Sequence, residues 1–295
     1  MKELIKPKKF QARTLATIAQ ADTIINEYQA AGFNLTLRQL YYQFVARDLI
    51  ENSDREYNKL GRTISDARLA GLVDWDAIED RVRNLKTLPT WETGADLLTS
   101  AVNQFKTNKW LDQYNYVEVW IEKDALIGVI EPVCQELEVP YFASRGYNSQ
   151  SEMWRAGKRF KAALNRAQYP LIIYLGDHDP SGLDMSRDIT DRMTEFTGRI
   201  AHIERIALNM DQVDQYKPPP NPTKQKDTRS NDYIKRFGGS SWELDALDPR
   251  VIGDLVRDTI LKKRDEDKWQ DSLDRQQGIF SQLRDVTANF RSQGI

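Results

Sequence analysis

The stretch Pro170-Leu171-Ile172-Ile173-Tyr174-Leu175-Gly176-Asp177-His178-Asp179-Pro180-Ser181-Gly182 decides the fold. Residues 170–175 are a short apolar run closed by turn residues, the pattern of a strand buried on both faces. The Gly-Asp-His-Asp-Pro-Ser-Gly segment is then the loop that leaves the strand's carboxyl end and opens a helix, predicted over 182–196. Working outward, strands are predicted at 116–121, 139–143 and around 200–208, with helices at 125–137 and about 150–167. Strand–helix alternation with apolar strands predicts an α/β fold built on a mainly parallel sheet covered on both faces. In such sheets ligands bind outside the carboxyl ends of the strands.

Bulk composition is compatible with this. Of 295 residues, 40% are hydrophobic and 29% charged, so a core can be buried without disulfides. The single Cys134 allows no internal disulfide and fits a reducing cytoplasm. No apolar run reaches the roughly 18 residues needed to span a bilayer, and the basic start, 1–10, lacks the apolar segment of a secretory signal. Formal net charge is −2, so any nucleic-acid contact must come from local basic patches.

Ahead of the α/β part the periodicity is helical. A helix over about 11–31 places Leu15, Ile18, Ile24, Ile25 and Tyr28 near one face, and Gly32 suits its end. Thr36 and Gln39 form a capping box that opens a second helix through about residue 50. A third helix, about 55–70, puts Leu60, Ile64 and Ala67 inside and Arg55, Lys59, Arg62 and Arg68 outside. Three short helices with a basic third, then Leu72, Val73 and Trp75, read as a winged-helix-like unit or as a generic helical subdomain. The expected organisation is a helical head over 1–83, a connector over 84–114, and an α/β domain with C-terminal helices over 115–295. Residues 218–222, rich in proline, read as a rigid loop without regular structure.

The acids carry the chemistry. Glu122 follows the strand at 116–121; Asp177 and Asp179 follow the strand at 170–175. Carboxylates brought together repel and favour a cation, and hard oxygen donors suit Mg²⁺, with Mn²⁺ as a substitute. Asp, Gly and Pro are also ordinary turn residues, so loop acids without a ligand are the alternative. With two histidines and one cysteine, a zinc site is not expected. His178 could join the ligands; His202, on an apolar strand, reads as structural.

Val119-Trp120-Ile121-Glu122-Lys123, Arg145-Gly146 and Asp177-His178-Asp179-Pro180-Ser181-Gly182 together resemble a Toprim domain. The Asp-x-Asp-Pro-x-Gly form looks most like the A subunit of topoisomerase VI and its meiotic relative that makes double-strand breaks. The resemblance covers roughly residues 115–260 and implies that Glu122, Asp177 and Asp179 hold Mg²⁺. That family places a winged-helix domain first, with a tyrosine that attacks DNA and an arginine four residues before it. Leu37-Arg38-Gln39-Leu40-Tyr41-Tyr42 matches this pattern and implies Tyr42 as nucleophile beside Arg38, with Glu122 in the catalytic set. Tyr41 then packs, and packing is equally the alternative role for Tyr42 itself. Positions i and i+4 share a helix face, so Arg38 can reach the phenol.

The resemblance further implies double-stranded DNA as substrate, a homodimer in which one subunit's tyrosine serves the other's metal, and either a separate B-type ATPase subunit or a stand-alone relative from a mobile element or phage. No Walker-type glycine loop is present. Arg47, Arg62, Arg68, Lys123 and Arg145 are the candidate DNA contacts. The expected function is Mg-dependent DNA cleavage by tyrosyl transesterification in a nucleoid-associated, cytoplasmic protein of cellular, phage or plasmid origin. The alternatives are a Toprim nuclease that hydrolyses DNA without a covalent intermediate and a non-catalytic DNA-binding accessory protein.

Overall fold

A computed structural model describes residues 1–78, 88–144, 148–223 and 229–292. The chain has an α/β fold: N-terminal helices, a four-stranded parallel sheet with interleaved helices, and a long C-terminal helix. The helices are α1 (Ala12–Ala30), α2 (Leu37–Ala46), α3 (Asp54–Leu69), α4 (Gly94–Gln104), α5 (Ile127–Glu136), α6 (Gln150–Asn165), α7 (Pro180–Thr197), α8 (Met210–Tyr216), α9 (Ser230–Phe237), α10 (Pro249–Lys263) and α11 (Glu266–Ser292). The sheet runs β2 (Tyr141–Ala143), β1 (Asn115–Ile121), β3 (Tyr169–Leu175), β4 (His202–Ala207). No helix of the described residues is long and apolar enough to cross a membrane.

The two-residue period of the strands explains the layering. Val117, Val119 and Ile121 of β1, with Leu171, Ile173 and Leu175 of β3, pack on the face covered by α5 and α10. Trp120, Ile172 and Tyr174 point the other way, into a second cluster with Met153 and Phe160 of α6 and Met185 and Ile189 of α7. β3 is thus apolar on both sides, as its sequence predicts, whereas β1 buries one charge beside Trp120, Glu118, which Arg159 Nε meets at 2.7 Å. β2 is shorter than the predicted strand, because the Val139 amide is spent on Cys134 O (2.8 Å) and Pro140 has no amide to give.

The first three helices enclose a third core containing Ile18, Ile24, Ile25, Tyr28, Leu40, Tyr41, Tyr42, Phe44, Leu60 and Ile64. Leu15, expected inside, is exposed. The Thr36–Gln39 capping box forms as read, but α2 stops at Ala46 instead of running to residue 50. Asp48 takes a positive φ of 53° and Leu49 N donates to Phe44 O (2.9 Å), a reversal that closes the helix. After α3 the backbone makes only isolated bridges, Leu4 with Ala70 and Leu35 with Ile78; residues 79–87, including the start of the connector, lie outside the described residues. The proline-rich loop, expected to be rigid but without regular structure, contains a strand. Asn221–Pro222 forms a short strand, β5, paired antiparallel with β6 (Ser240–Ser241). His202, read as structural, is exposed at the start of β4.

The head and the sheet meet directly. Ala246 belongs to the head's core, Phe33 packs against both cores, and Tyr28 donates to Asp248, the N-cap of α10, at 2.8 Å.

Candidate active site

β1 and β3 are neighbours in register, with Ile121 opposite Leu175, so their carboxyl ends release Glu122 and the Gly176-Asp177 turn side by side. Glu122 N donates to Leu175 O and Asp177 N donates to Glu122 Oε2, both at 2.8 Å. Gly176 is required here: a Cβ would lie 2.8 Å from Glu122 Oε2 and 2.8 Å from the Tyr174 hydroxyl. Gly182 is required too, since its Cβ would meet Asp177 O at 2.2 Å. Asp179 caps α7, accepting from Gly182 N at 2.6 Å, and Pro180 follows in the first helical position. The Asp-x-Asp-Pro-x-Gly spacing therefore has a local structural cause as well as a chemical one.

Asp177 is 7% exposed. Its Oδ1 accepts from Leu244 N at 2.8 Å and its Oδ2 lies 3.1 Å from Lys123 Nζ. Burial pushes its carboxyl up to about 7 against the pull of Lys123, with Glu122 and Asp245 adding to the rise. Glu122 is raised as well, chiefly by burial and further by Asp179. Among the described residues no group of three or more acid, histidine or cysteine side chains stands ready to hold a metal ion. The donor set nonetheless fits one chemically: hard oxygens, desolvated and mutually repelling, gain from a nearby divalent cation. His178 faces elsewhere. It is buried against Tyr233, Phe237 and Trp242, and its Nδ1 is 2.7 Å from the Tyr233 hydroxyl.

A second segment, Trp242-Glu243-Leu244-Asp245, completes the site and carries no motif that marks it in the sequence. His178 and Trp242 exchange backbone hydrogen bonds of 2.8 and 3.0 Å, which fixes this segment against the acidic turn. Lys123 Nζ then lies 2.9 Å from Glu243 Oε2 and 2.6 Å from Asp245 Oδ1, besides Asp177. These carboxylates hold the ammonium above its ordinary pKa despite burial. Arg205 was equally unmarked; its guanidinium donates to the carbonyls of Gly176 (2.9 Å), Asp177 (2.6 Å), Gly182 (3.0 Å) and Leu208 (3.2 Å). It pins the turn from behind.

On the head side, Arg38 pairs with Glu243 and, through Nε at 2.9 Å, with Asp245. Its Nη2 is 3.4 Å from the Tyr42 hydroxyl, confirming that the i, i+4 spacing brings the two together. Asn221 Nδ2, on β5, reaches the same hydroxyl at 3.5 Å. Tyr42 is 2% exposed. Burial pushes its phenol up to about 12, Glu243 adds to this, and Asn221 and Arg38 counter it. Tyr41 packs against Tyr42 and Tyr57 and donates to Asn52 Oδ1 at 2.8 Å.

The basic residues divide. Arg62 is exposed on α3 and lines a shallow hollow of about 470 Å³ with Lys9, Arg55 and Lys59. Arg47 pairs with Glu27 at 2.7 Å. Arg68 stacks on Trp75, 4.7 Å from guanidinium to ring centre, and donates to the Trp75 carbonyl. Lys123 is engaged by the carboxylates described above. Arg145 lies outside the described residues.

No family model matches the chain. A comparison with curated proteins finds no significant match either.

Proposed function

We propose that this protein is a Mg-dependent DNA-cleaving enzyme, with a winged-helix-like head and a Toprim-like sheet domain, that breaks the backbone by tyrosyl transesterification. The observation that carries the reading is the meeting of two segments far apart in sequence. Arg38 and Tyr42 of the head reach, through Glu243 and Lys123, the carboxyl-end acids Glu122 and Asp177 of the sheet.

Glu122, Asp177 and Asp179 are the residues that would hold Mg²⁺, which when bound neutralises phosphate charge and stabilises the leaving oxygen. The chain's own residues supply the rest. The Tyr42 oxygen bonds to phosphorus, the P–O3′ bond breaks, the phenolic proton passes to solvent, and the departing 3′ oxygen takes up a proton from water. Arg38 and Asn221 aim donors at the phenol oxygen and support its negative charge. Exposed Lys9, Arg55, Lys59 and Arg62 on the head suit phosphate contacts that give affinity without sequence information. Double-stranded DNA as substrate, a homodimer to cut both strands, a separate ATPase subunit and a location with DNA in the cytoplasm belong to the same proposal.

One observation favours a second reading. Tyr42 is buried and burial makes its phenol harder to ionise than a free tyrosine, which suits a nuclease in which water attacks and Tyr42 only packs. Supercoiled plasmid incubated with protein and Mg²⁺, then denatured in detergent, separates the two. Transesterification leaves protein on the broken ends and Tyr42→Phe abolishes both adduct and breakage; hydrolysis leaves free ends that the substitution does not change. Intact plasmid throughout leaves only DNA binding.

A further inference from the structure

We infer that Arg205 is a positioning residue for the divalent cation: by holding the peptide groups on either side of Asp177 and the first turn of α7, it sets the spacing of Glu122, Asp177 and Asp179 and with it the affinity of the site. The inference rests on the metal reading of these acids, which the transesterase and the nuclease share, and it holds whichever subunit supplies a tyrosine. Arg205 stands opposite Tyr174 in the β3–β4 ladder, and the register then slips so that Leu175 faces Ala207. The slip is a bulge of one residue in β4. It sends both Ile206 and Ala207 into the core covered by α5 and α10 and leaves Arg205 on the Tyr174 side, its guanidinium 5.6 Å from the centre of that ring.

From there Nη2 donates to Gly176 O (2.9 Å), Asp177 O (2.6 Å) and Leu208 O (3.2 Å), and Nη1 to Gly182 O (3.0 Å) and Ser186 Oγ (3.2 Å). The first two carbonyls belong to the peptide groups that precede and follow the Asp177 Cα. The amide half of the first donates from Asp177 N to Glu122 Oε2, and the amide half of the second from His178 N to Trp242 O, both at 2.8 Å. With both peptide planes held at each end, the Asp177 side chain leaves a fixed backbone and Glu122 is tied to the same plane. Gly182 serves the third acid, since its amide donates to Asp179 Oδ1 at 2.6 Å while its carbonyl takes Arg205. One guanidinium thus touches the backbone that orients each of the three carboxylates. Its partners among the described residues are carbonyls and a hydroxyl, not carboxylates, and its Nε is buried without a partner. A buried cation so placed is costly unless negative charge lies near. Burial pulls the guanidinium below its ordinary pKa, and Glu122, Asp177 and Asp179 work against that pull from across the turn.

Manganese binding by the whole protein without DNA tests this, read as loss of the free Mn²⁺ signal in electron paramagnetic resonance. Arg205→Lys keeps the charge, but a single ammonium cannot span the turn and α7 as the planar fork does. Its Mn²⁺ dissociation constant should rise about 10- to 100-fold, the usual loss when a group behind a metal's ligands is changed. In plasmid cleavage the half-saturating Mg²⁺ concentration should rise with it, while the KM for plasmid at saturating Mg²⁺ is unchanged. Arg205→Met removes the charge as well and should bind Mn²⁺ no better than the Lys variant, because lost spacing outweighs the removed repulsion. Thermal melting establishes which variants are folded at the assay temperature, and the Lys variant decides alone where the Met variant unfolds. A folded Lys variant that binds Mn²⁺ as tightly as the wild type overturns the inference, leaving Arg205 a structural residue. A Met variant that binds more tightly also overturns it, leaving Arg205 only a repelling charge. Wild-type protein that takes up no Mn²⁺ removes the metal reading and this inference with it, a result distinct from variants that match a wild type that binds.

Discussion

Tyr42 combines a nearly solvent-free ring with a hydroxyl whose two donors stand off at 3.4 and 3.5 Å. Hydrogen bonds that long contribute little to stability, so Tyr42→Phe should change the unfolding free energy by less than about 1 kcal/mol while abolishing cleavage. Melting and plasmid assays on the same preparation check both halves. Asp177→Asn should leave cleavage below about one hundredth of wild type, because the neutral amide cannot serve as an anionic oxygen donor. At this scale the sequence was informative wherever position along an element sufficed. The strand ends gave Glu122 and Asp177, and helical spacing gave Arg38 beside Tyr42. Glu243, Asp245 and Arg205 were hidden because their contacts are made across the fold. Nothing local distinguishes Glu243-Leu244-Asp245 from other acid-bearing segments of the sequence until Trp242 pairs with His178.

Short elements hold the site by their ends. The Thr36 side chain accepts from Gln39 N at 3.2 Å and Gln39 Oε1 accepts from Thr36 N at 2.8 Å, fixing the first turn of α2, which carries Arg38. Thr36→Ala should cost about 1 kcal/mol of stability, read from chemical denaturation. α9 acts on the other side of the site, where the Tyr233 hydroxyl donates to His178 O at 2.8 Å and contacts its Nδ1. Tyr233→Phe leaves His178 Nδ1 without this partner, while His178 O keeps the Trp242 amide, and should cost about 1 kcal/mol, with cleavage reduced in step if the acidic turn loosens. The strands and long helices were legible because apolar periodicity persists over several turns or residues. The early end of α2, the short β2 and the β5–β6 pair were not. Each depends on one local event: the positive φ of Asp48, the missing amide of Pro140, and a strand partner nearly twenty residues away along the chain.

On the scale of the whole molecule, head and sheet are joined by charge as well as by packing. Burial alone would raise Asp248, but hydrogen bonds from the Arg250 side chain and amide and from Tyr28 outweigh it and hold the carboxyl below its ordinary value. A carboxylate depressed in the folded state contributes stability in full above its unfolded pKa, about 3.9, and that contribution drains away as pH falls toward the folded value. Wild type should therefore lose stability relative to Asp248→Asn on acidification below about pH 4, and the difference between their melting temperatures should be constant above about pH 6. A wild-type advantage that stayed constant through the window below about pH 4, or that grew as pH fell, would contradict the assignment. The α/β architecture was readable from alternation alone, whereas the link from Tyr42 through Arg38 and Glu243 to Lys123 and Asp177 was not, since no pattern in one chain specifies how a helical head docks on a sheet. That docking brings separate residues together, and the proposed chemistry rests on it. The most direct measurement is to trap the reaction of wild-type protein, plasmid and Mg²⁺ with detergent, digest the DNA and the protein, and weigh the peptides. The account predicts a nucleotide remnant joined through a 5′ phosphate to the peptide bearing Tyr42. Broken plasmid with every Tyr42 peptide unmodified would contradict it.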